Sequence, residues 1–358
     1  SSDVCSSDLS MKNRYLELFK QVTDEHAENQ GRSKDSHILV IDGLNTFIRV
    51  FSAVPALNDD GDHIGGVTGF LRSVASVIRQ LKPTRCVVVF DGKGGSKRRK
   101  DMYSNYKANR AVKTQFNRYQ EFATLEDESA SMKRQFGRVI EYLNCLPVTT
   151  IAIDNVEADD VIAYIANEMY TDPEHKVTIV STDRDFLQLV NHRINVWSPI
   201  KKILYTPQVL QEEIGLPVEN YLMYRAITGD KSDNIPGLKG IGLKTLIKHF
   251  PILQESRQLE IDELVTYSNN LTKKHNVHES IILNEQQLRL NIDLMQLKEV
   301  DISGNAKLLT VNLIRDSVNK TNVYEFKKMF MADKMYTIIK DVDTWLVTFN
   351  SLNAYAAI

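Results

Sequence analysis

Asp154-Asn155-Val156-Glu157-Ala158-Asp159-Asp160 follows an apolar run at residues 148–153. It opens a helical pattern in which Val161, Ile162, Ile165, Ala166 and Met169 recur at helix spacing. Glu157 and Asp160 share a helix face, and Asp159 lies about 100° round from Asp160. Capping accounts for part of this, because Asp154 and Glu157 fit a capping box and acids favour a helix N-terminus. Capping explains one or two acids but not three ahead of an apolar run. Alone, the stretch leaves capping and metal binding equally open. The acids elsewhere in the chain weight the choice.

Further strand-like runs are followed by acids in the same way. Residues 38–41 end in Asp42-Gly43, residues 86–90 in Asp91-Gly92, and residues 177–180 in Ser181-Thr182-Asp183-Arg184-Asp185. A fifth apolar run, residues 194–197, stops before Pro199. A helix is predicted from Val67 through Phe70, Leu71, Val74, Val77, Ile78 and Leu81, with Pro83 ending it. Another stripe, Phe136, Val139, Ile140 and Leu143, precedes the third strand. Strand, helix, strand with continuously apolar strands predicts an α/β fold on a parallel sheet buried on both faces. Ligands of such sheets bind at the carboxyl ends of the strands, where acids from distant positions would converge. Each Asp-Gly alone is ordinary turn chemistry. Together they would repel: two carboxylates ~4 Å apart cost about 4 kcal/mol at an effective dielectric of ~20. Mg²⁺ or Mn²⁺ suits such a set better than Zn²⁺, because no His or Cys joins it.

Two other stretches carry chemistry. Residues 93–113 hold Lys93, Lys97, Arg98, Arg99, Lys100, Lys107, Arg110 and Lys113 against the single acid Asp101, and an acidic linker at 121–128 follows. If 98–110 is helical, Arg99, Tyr103, Tyr106 and Arg110 form one stripe with Lys107 beside it. Cations interleaved with aromatics suit single-stranded nucleic acid, the bland alternative being a solvated charged helix. The second stretch is Gly229-Asp230-Lys231-Ser232-Asp233-Asn234-Ile235-Pro236-Gly237-Leu238-Lys239-Gly240-Ile241-Gly242-Leu243-Lys244-Thr245. Helical patterns flank it. Gly237, Gly240 and Gly242 permit a tight turn with free amides, an anion site to which Lys239 and Lys244 add charge. The alternative is a plain helical hairpin, against which Asp230 and Asp233 weigh.

The chain has 358 residues, enough for two domains or one with an extension, and a net charge of −2 that says nothing about partners. Cys5, Cys86 and Cys145 show no metal or disulfide spacing, which favours a reducing compartment. No run is long enough to span a membrane. Residues 1–10 repeat Ser-Ser-Asp around Cys5 and read as a leader or artefact, with Met11 the expected start. Residues 12–29 read as an amphipathic helix and 31–36 as a linker. Near the C-terminus, residues 308–318 and 324–330 read as helices, and 345–347 as a short strand or helix.

Taken in order, these motifs resemble the flap endonuclease / 5′→3′ exonuclease family, with its PIN-like nuclease domain. Ile41-Asp42-Gly43, Phe90-Asp91-Gly92, Glu157-Ala158-Asp159-Asp160, Ser181-Thr182-Asp183-Arg184-Asp185 and the Gly229–Gly237 motif match it, and Tyr106-Lys107-Ala108-Asn109-Arg110 matches its arch. Trp197-Ser198-Pro199, the N-terminal helix and the long tail resemble the T-even phage RNase H branch. Residues 237–245 depart from that branch by keeping the glycine-rich pattern of cellular and polymerase-linked relatives.

The resemblance implies a FEN-type, mostly parallel sheet flanked by helices, with a helix-hairpin-helix (H3TH) domain. It divides the chain into 1–36, a catalytic domain at 37–205 with a basic arch at 93–130, a DNA-binding domain at 206–300 and an extension at 301–358. It implies two Mg²⁺ ions, replaceable by Mn²⁺. Asp42, Asp91, Glu157, Asp159 and Asp160 would surround the first; Asp183, Asp185 and Asp230 would hold the second, with Asp233 acting through water. It places Lys107 and Arg110 on the scissile phosphate, Tyr106 on a base, and K⁺ at the hairpin turn. The implied substrates are 5′ flaps and 5′ ends of DNA or RNA–DNA hybrid, cut by a cytoplasmic monomer in a bacterial or phage-infected cell. A single-strand-binding protein is the implied partner of the tail. A PIN-like single-strand ribonuclease and a non-catalytic DNA-binding protein are the alternatives.

Overall fold

The computed structural model describes residues 35–111, 115–119, 122–316, 318 and 320–353, without the side chains of Arg110 and Ala111. The expected leader and the helix at 12–29 lie outside the described residues. Strand β1 (His37–Asp42) runs straight into α1 (Gly43–Ala53), which Asp42 caps. Helix α2 (Gly65–Leu81) leads to β2 (Arg85–Asp91), and the basic segment contributes α3 (Lys97–Met102). Helix α4 (Leu125–Asn144), β3 (Thr149–Ile153) and α5 (Ala158–Tyr164) follow, then β4 (Lys176–Val180), β5 (Ile194–Ser198) and β6 (Ile203–Tyr205). Strand order is β3-β2-β1-β4-β5-β6. The first five strands in this order are parallel and β6 pairs antiparallel with β5.

Strand β1 is the switch point, with β2 and β3 to one side and β4 and β5 to the other, and its carboxyl end is where sheets of this kind bind ligands. Its apolar run is continuous because it feeds two cores: Ile38 and Val40 pack into one, Leu39 and Ile41 into the other.

The helical part comprises α6 (Pro207–Ile214), α7 (Tyr221–Thr228), α8 (Leu243–His249), α9 (Ile261–Asn270), α10 (Asn276–Leu283) and α11 (Glu285–Met295). It shares a core with the sheet. Leu246, Phe250, Leu264, Ile281 and Leu288 join the same apolar cluster as Val177 and Ile179. From His37 onward the chain is one compact unit.

Beyond it lie α12 (Gly304–Arg315), α13 (Val323–Ala332), α14 (Val342–Leu346) and α15 (Asn350–Asn353). These include both expected C-terminal helices and settle Trp345 as helical. Phe326, fully buried, packs 4.9 Å from the Tyr142 ring and 5.4 Å from Trp345, between ring centres. The C-terminal region thus completes the core over α2 and α4.

Local expectations are corrected in three places. The helix expected at 98–110 stops at Met102: Tyr103 is extended, and Lys107 has a left-handed φ of 56°. The stripe of Arg99, Tyr103, Tyr106 and Arg110 therefore does not form. The acidic linker at 121–128 ends inside α4, where Glu128 is buried and accepts from the amides of Phe116 and Asn117 at 2.9 and 2.6 Å. The capping box on α5 is absent. Glu157 is the N-cap and makes no capping bond, while Asp154 Oδ1 accepts from Lys93 N at 3.1 Å.

Phe326→Ala should destabilise the protein by about 3–5 kcal/mol in urea unfolding. A loss under about 1 kcal/mol would show that the C-terminal layer is peripheral.

Candidate active site

The expected acids meet where the carboxyl ends of β1 to β4 open. Asp42 is buried; its Oδ1 accepts from Asn45 N at 3.1 Å and its Oδ2 from Ser181 Oγ at 2.9 Å. Asn45 in turn accepts from Thr182 N and Oγ1, tying the start of α1 to the loop after β4. Asp91 Oδ1 accepts from Ala158 N at 2.9 Å, fixing the first turn of α5 against the end of β2. Asp183 Oδ1 accepts from Asp185 N at 2.8 Å.

Two groups of acids emerge from the electrostatics. The first is neutralised by the protein's own cations. Arg99 grips Asp160 through both Nη atoms, at 2.7 and 2.8 Å, and also pairs with Glu157. Its Nε donates to Leu294 O at 2.8 Å. Lys107 Nζ lies 2.7 Å from Glu157 Oε1. Burial pushes the Glu157 pKa up, but Arg99 and Lys107 outweigh it and leave the net shift downward. Burial would lower the Arg99 pKa, yet Asp160 and Glu157 raise it well above its usual value.

Arg225 does the same elsewhere. Its Nε lies 2.8 Å from Asp185 Oδ1, and its Nη2 donates to Asp230 Oδ2. Asp230 Oδ1 also accepts from Ser232 N and Oγ, both at 2.6 Å. Burial opposes these contacts, but the Asp230 pKa ends lowered. Burial leaves the Asp185 pKa raised despite Arg225.

The second group is Asp42, Asp159 and Asp183: among the described residues none of the three makes a direct ion pair, and Lys107 offsets the charge of Asp42 and Asp159 only in part. Burial, with a contribution from Asp91, pushes Asp42 up to about 6. Burial and the charge of Asp185 push Asp183 up to about 8. Asp159 is raised well above the usual carboxylate range by burial and by Asp183 and Asp42. Among the described residues, no three of the carboxylates converge tightly enough to form a ready-made coordination shell. The donor set itself consists of carboxylate oxygens, with no His or Cys, and so fits a hard divalent cation. A cation among these three acids would offset both the burial and the repulsion that raise their pKa values.

Several expected DNA contacts lie inward. Arg99 is 3 % exposed and Tyr106 2 %. The Tyr106 hydroxyl donates to Asp233 Oδ2 at 3.2 Å and faces Glu157. Tyr106 is thus packed on protein, and Tyr103 beside it is half-buried. The Arg110 side chain lies outside the described residues.

The basic segment docks onto the loop at 231–234. Lys107 N donates to Asp233 O at 2.9 Å, Asn109 Nδ2 to Lys231 O at 2.7 Å, and Asn234 Nδ2 to Asn105 O at 2.8 Å. In the hairpin, Lys239, Gly240, Gly242 and Lys244 are exposed. Not all the turn amides are free: Leu238 N bonds to Ile227 O and Ile241 N to Leu238 O. Gly237 serves the fold, since a Cβ there would lie 2.0 Å from Thr228 O.

Sequence reasoning missed Arg225, Ser181 and Asn45. Arg225 left one signal: it is the only charged residue in α7, a helix with a buried face, and a buried cation needs an anion.

The sequence profile of the 5′-3′ exonuclease N-terminal, resolvase-like domain matches residues 37–215. The chain belongs to the 5′-3′ exonuclease family. The thermostable DNA polymerase I of Thermus thermophilus is 34% identical over 274 residues, covering 74% of this chain and 30% of the polymerase. The chain therefore spans under a third of that relative's length. The 5′-3′ exonuclease of Aquifex aeolicus is 27% identical over 313 residues, 86% of this chain and 95% of its own. Among solved structures, zinc-bound T5 5′-exonuclease superposes with a TM-score of 0.58 at 21% identity, over 83% of this chain and 98% of that one. The T5 flap endonuclease in a complex with DNA and metal ions gives the same score at 21% identity, over 83% and 99%. Both share the fold of this 5′-3′ exonuclease domain.

Raised carboxylate pKa values mean that the folded state holds protons the unfolded state releases, so stability falls as pH rises through them. Between about pH 7 and pH 8.5 the Asp183 carboxyl loses its proton. Mg²⁺ should therefore raise the melting temperature more at about pH 8.5 than at pH 7, and Asp183→Asn should shrink that difference. An equal Mg²⁺ effect at both pH values, in both proteins, would contradict the assignment.

Proposed function

We propose that this chain is a divalent-metal-dependent 5′-nuclease that hydrolyses phosphodiesters at 5′ ends and 5′ flaps of DNA and RNA–DNA hybrid, leaving 5′-phosphates and 3′-hydroxyls. The observation that supports it is the meeting of acids from four strand ends in one cleft, in a member of the 5′-3′ exonuclease family. Asp42, Asp159 and Asp183 are the residues with most to gain from holding Mg²⁺ or Mn²⁺, with Asp91, Glu157, Asp160, Asp185, Asp230 and Asp233 around them. Bound there, two divalent ions would supply Lewis acidity to the phosphodiester and lower the pKa of an attacking water.

The chain's own groups do the rest. Lys107 sits on the cleft acids with its backbone held by Asp233. A substrate phosphate at the cleft would compete with Glu157 for its ammonium. Arg99 stays bound to Asp160 and holds the arch base in place, while Arg225 fixes Asp185 Oδ1 and Asp230 Oδ2. Arg110 is the second candidate for the phosphate. Exposed Lys239 and Lys244 around the glycine turn would follow duplex phosphates, and the turn is the proposed K⁺ seat. Replication or repair in a bacterial or phage-infected cell is the proposed setting, with the protein as a cytoplasmic monomer. The RNase H-like branch and a single-strand-binding partner belong to the same proposal. Among the described residues no helix is long and apolar enough to cross a membrane.

Asp159→Asn should lower Mg²⁺-dependent cleavage of a labelled 5′-flap DNA by about 10³-fold or more while DNA affinity is kept. Lys107→Ala should lower kcat more than it raises KM. Near-normal turnover by Asp159→Asn would refute the metal assignment. Preferential cleavage of unstructured RNA by the parent protein would support the single-strand ribonuclease reading, and no cleavage of either the non-catalytic one.

A further inference from the structure

Helix α1 starts at the Asp42 cap and ends on a second set of buried polar side chains: His63, Asn117, Glu128, Ser131 and Gln135. The last carbonyls of a helix find no partner inside it. Here they are met from elsewhere in the chain. Asn117 Nδ2 donates to Phe51 O at 2.6 Å and Arg118 N to Ser52 O at 3.0 Å, while His63 Nε2 lies 3.1 Å from the carbonyl of Val54, which ends the helix. Glu128 on α4 accepts from the amides of Phe116 and Asn117. Residues 116–118, which follow the basic segment, are thus seated on the end of α1 and on α4. Asn109, a little earlier in the chain, is bonded to Lys231 O.

His63 joins these contacts. Phe51 and Phe122 meet its ring edge-on, at 5.3 and 6.1 Å between ring centres. Its Nδ1 lies 3.1 Å from Gln135 Nε2, which also donates to His63 O at 2.8 Å. Gln135 Oε1 accepts from Gly66 N at 2.8 Å and Val67 N at 3.3 Å. Those are two of the unpartnered amides at the start of α2, whose own N-cap, Ile64, makes no side-chain bond. Gly65 permits the close approach, since a Cβ there would lie 1.9 Å from Val54 O and 2.6 Å from His63 Nε2.

These partners leave room for one protonation state. Val54 O can only accept, so Nε2 carries a hydrogen, and Nδ1 accepts from the Gln135 amide. A second proton, on Nδ1, would set donor against donor. Gln135 cannot turn its oxygen to meet that proton without pointing its own NH₂ at Gly66 N and Val67 N. The charged group acting on the ring is Glu128; Phe51, Val54, Asn117, Phe122 and Gln135 around it are uncharged. Burial lowers the His63 pKa, against smaller raising effects of Val54 O and Glu128.

We propose that His63, in its neutral form, is a positioning residue for the basic segment: it fixes the end of α1 as the seat of Asn117 and Arg118, and so sets where Lys107 and Arg110 are presented to the cleft acids. Its effect on turnover rests on the nuclease reading; the seat itself does not.

Hydrogen exchange of residues 115–119 is followed by mass spectrometry in the full chain from about pH 5 to about pH 8, corrected for intrinsic exchange. A group whose folded pKa is lowered contributes fully above its ordinary value, 6.5, and its contribution is lost as pH falls below that. The parent protein should therefore protect Phe116 and Asn117 at about pH 7.5 and lose about tenfold of that protection on acidification. His63→Gln keeps a donor and takes no proton, so its protection should not change with pH. His63→Phe keeps the ring packing and drops both polar contacts, so it should lack protection at every pH. In Mg²⁺ at about pH 7.5, His63→Phe should cleave 5′-flap DNA with kcat about tenfold lower, and with KM and Mg²⁺ dependence within about twofold of the parent protein. His63→Gln should recover most of that loss.

The proposal is overturned if His63→Phe protects residues 115–119 like the parent protein, if His63→Gln still loses protection on acidification, or if protection falls while kcat holds. A lower melting temperature with kcat, KM and Mg²⁺ dependence all moved together would mark a general loosening of the fold and would equally overturn it. Should His63→Phe not fold, the titrations of the parent protein and His63→Gln decide. If the parent protein cleaves nothing in Mg²⁺, the nuclease reading fails, yet hydrogen exchange still decides the seat.

Discussion

Like-charge repulsion at the end of β1 is the constraint around which this protein is built. A parallel sheet with acids after four strands draws negative charge into one crevice, and burial strengthens every repulsion there. The chain answers unevenly. Arg99 and Lys107 neutralise Glu157 and Asp160, and Arg225 neutralises Asp185 and Asp230. Asp42, Asp159 and Asp183 make no direct ion pair among the described residues, and burial first, then the charge of neighbouring carboxylates, raises their pKa values. Full neutralisation would give a quiet, closed core. Partial neutralisation leaves a place that a hard cation stabilises.

The same ion pairs organise the surroundings. Arg99 comes from the segment after β2, yet binds acids on α5 and the carbonyl of Leu294 on α11. Removing one partner of such a buried pair costs about 3–5 kcal/mol, so the base of the arch is pinned. The tip is held by lighter contacts, backbone and amide bonds to residues 231–234. The basic segment, the loop at 231–234 and the cleft acids thus form one connected set.

Much of this was legible in the sequence, for identifiable reasons. The strands stood out because β1, β2 and β4 are buried on both faces and read as largely apolar runs, while the edge strand β3 exposes Ala152 on one face. The acids stood out because each followed such a run. The role of Arg99 was hidden because a run of cations reads as a solvated face. Only the tertiary fold brings Glu157 and Asp160, some sixty positions away, to meet it. The helix expected at 98–110 failed for the same reason: Tyr106 and Lys107 turn inward to satisfy acids, which tertiary contact rewards more than helix continuity. The C-terminal layer was obscure because Phe326, Phe330 and Phe349 are spread through short helices, and only their shared burial against Tyr142 and α2 makes them one core.

Diffraction from crystals soaked in Mn²⁺, with its anomalous signal, tests the central claim most directly. The account predicts a manganese peak in direct contact with carboxylate oxygens of Asp42, Asp159 and Asp183, while Arg99 remains on Asp160. No peak at those acids, or Mn²⁺ seated elsewhere while the three keep their spacing, would contradict it.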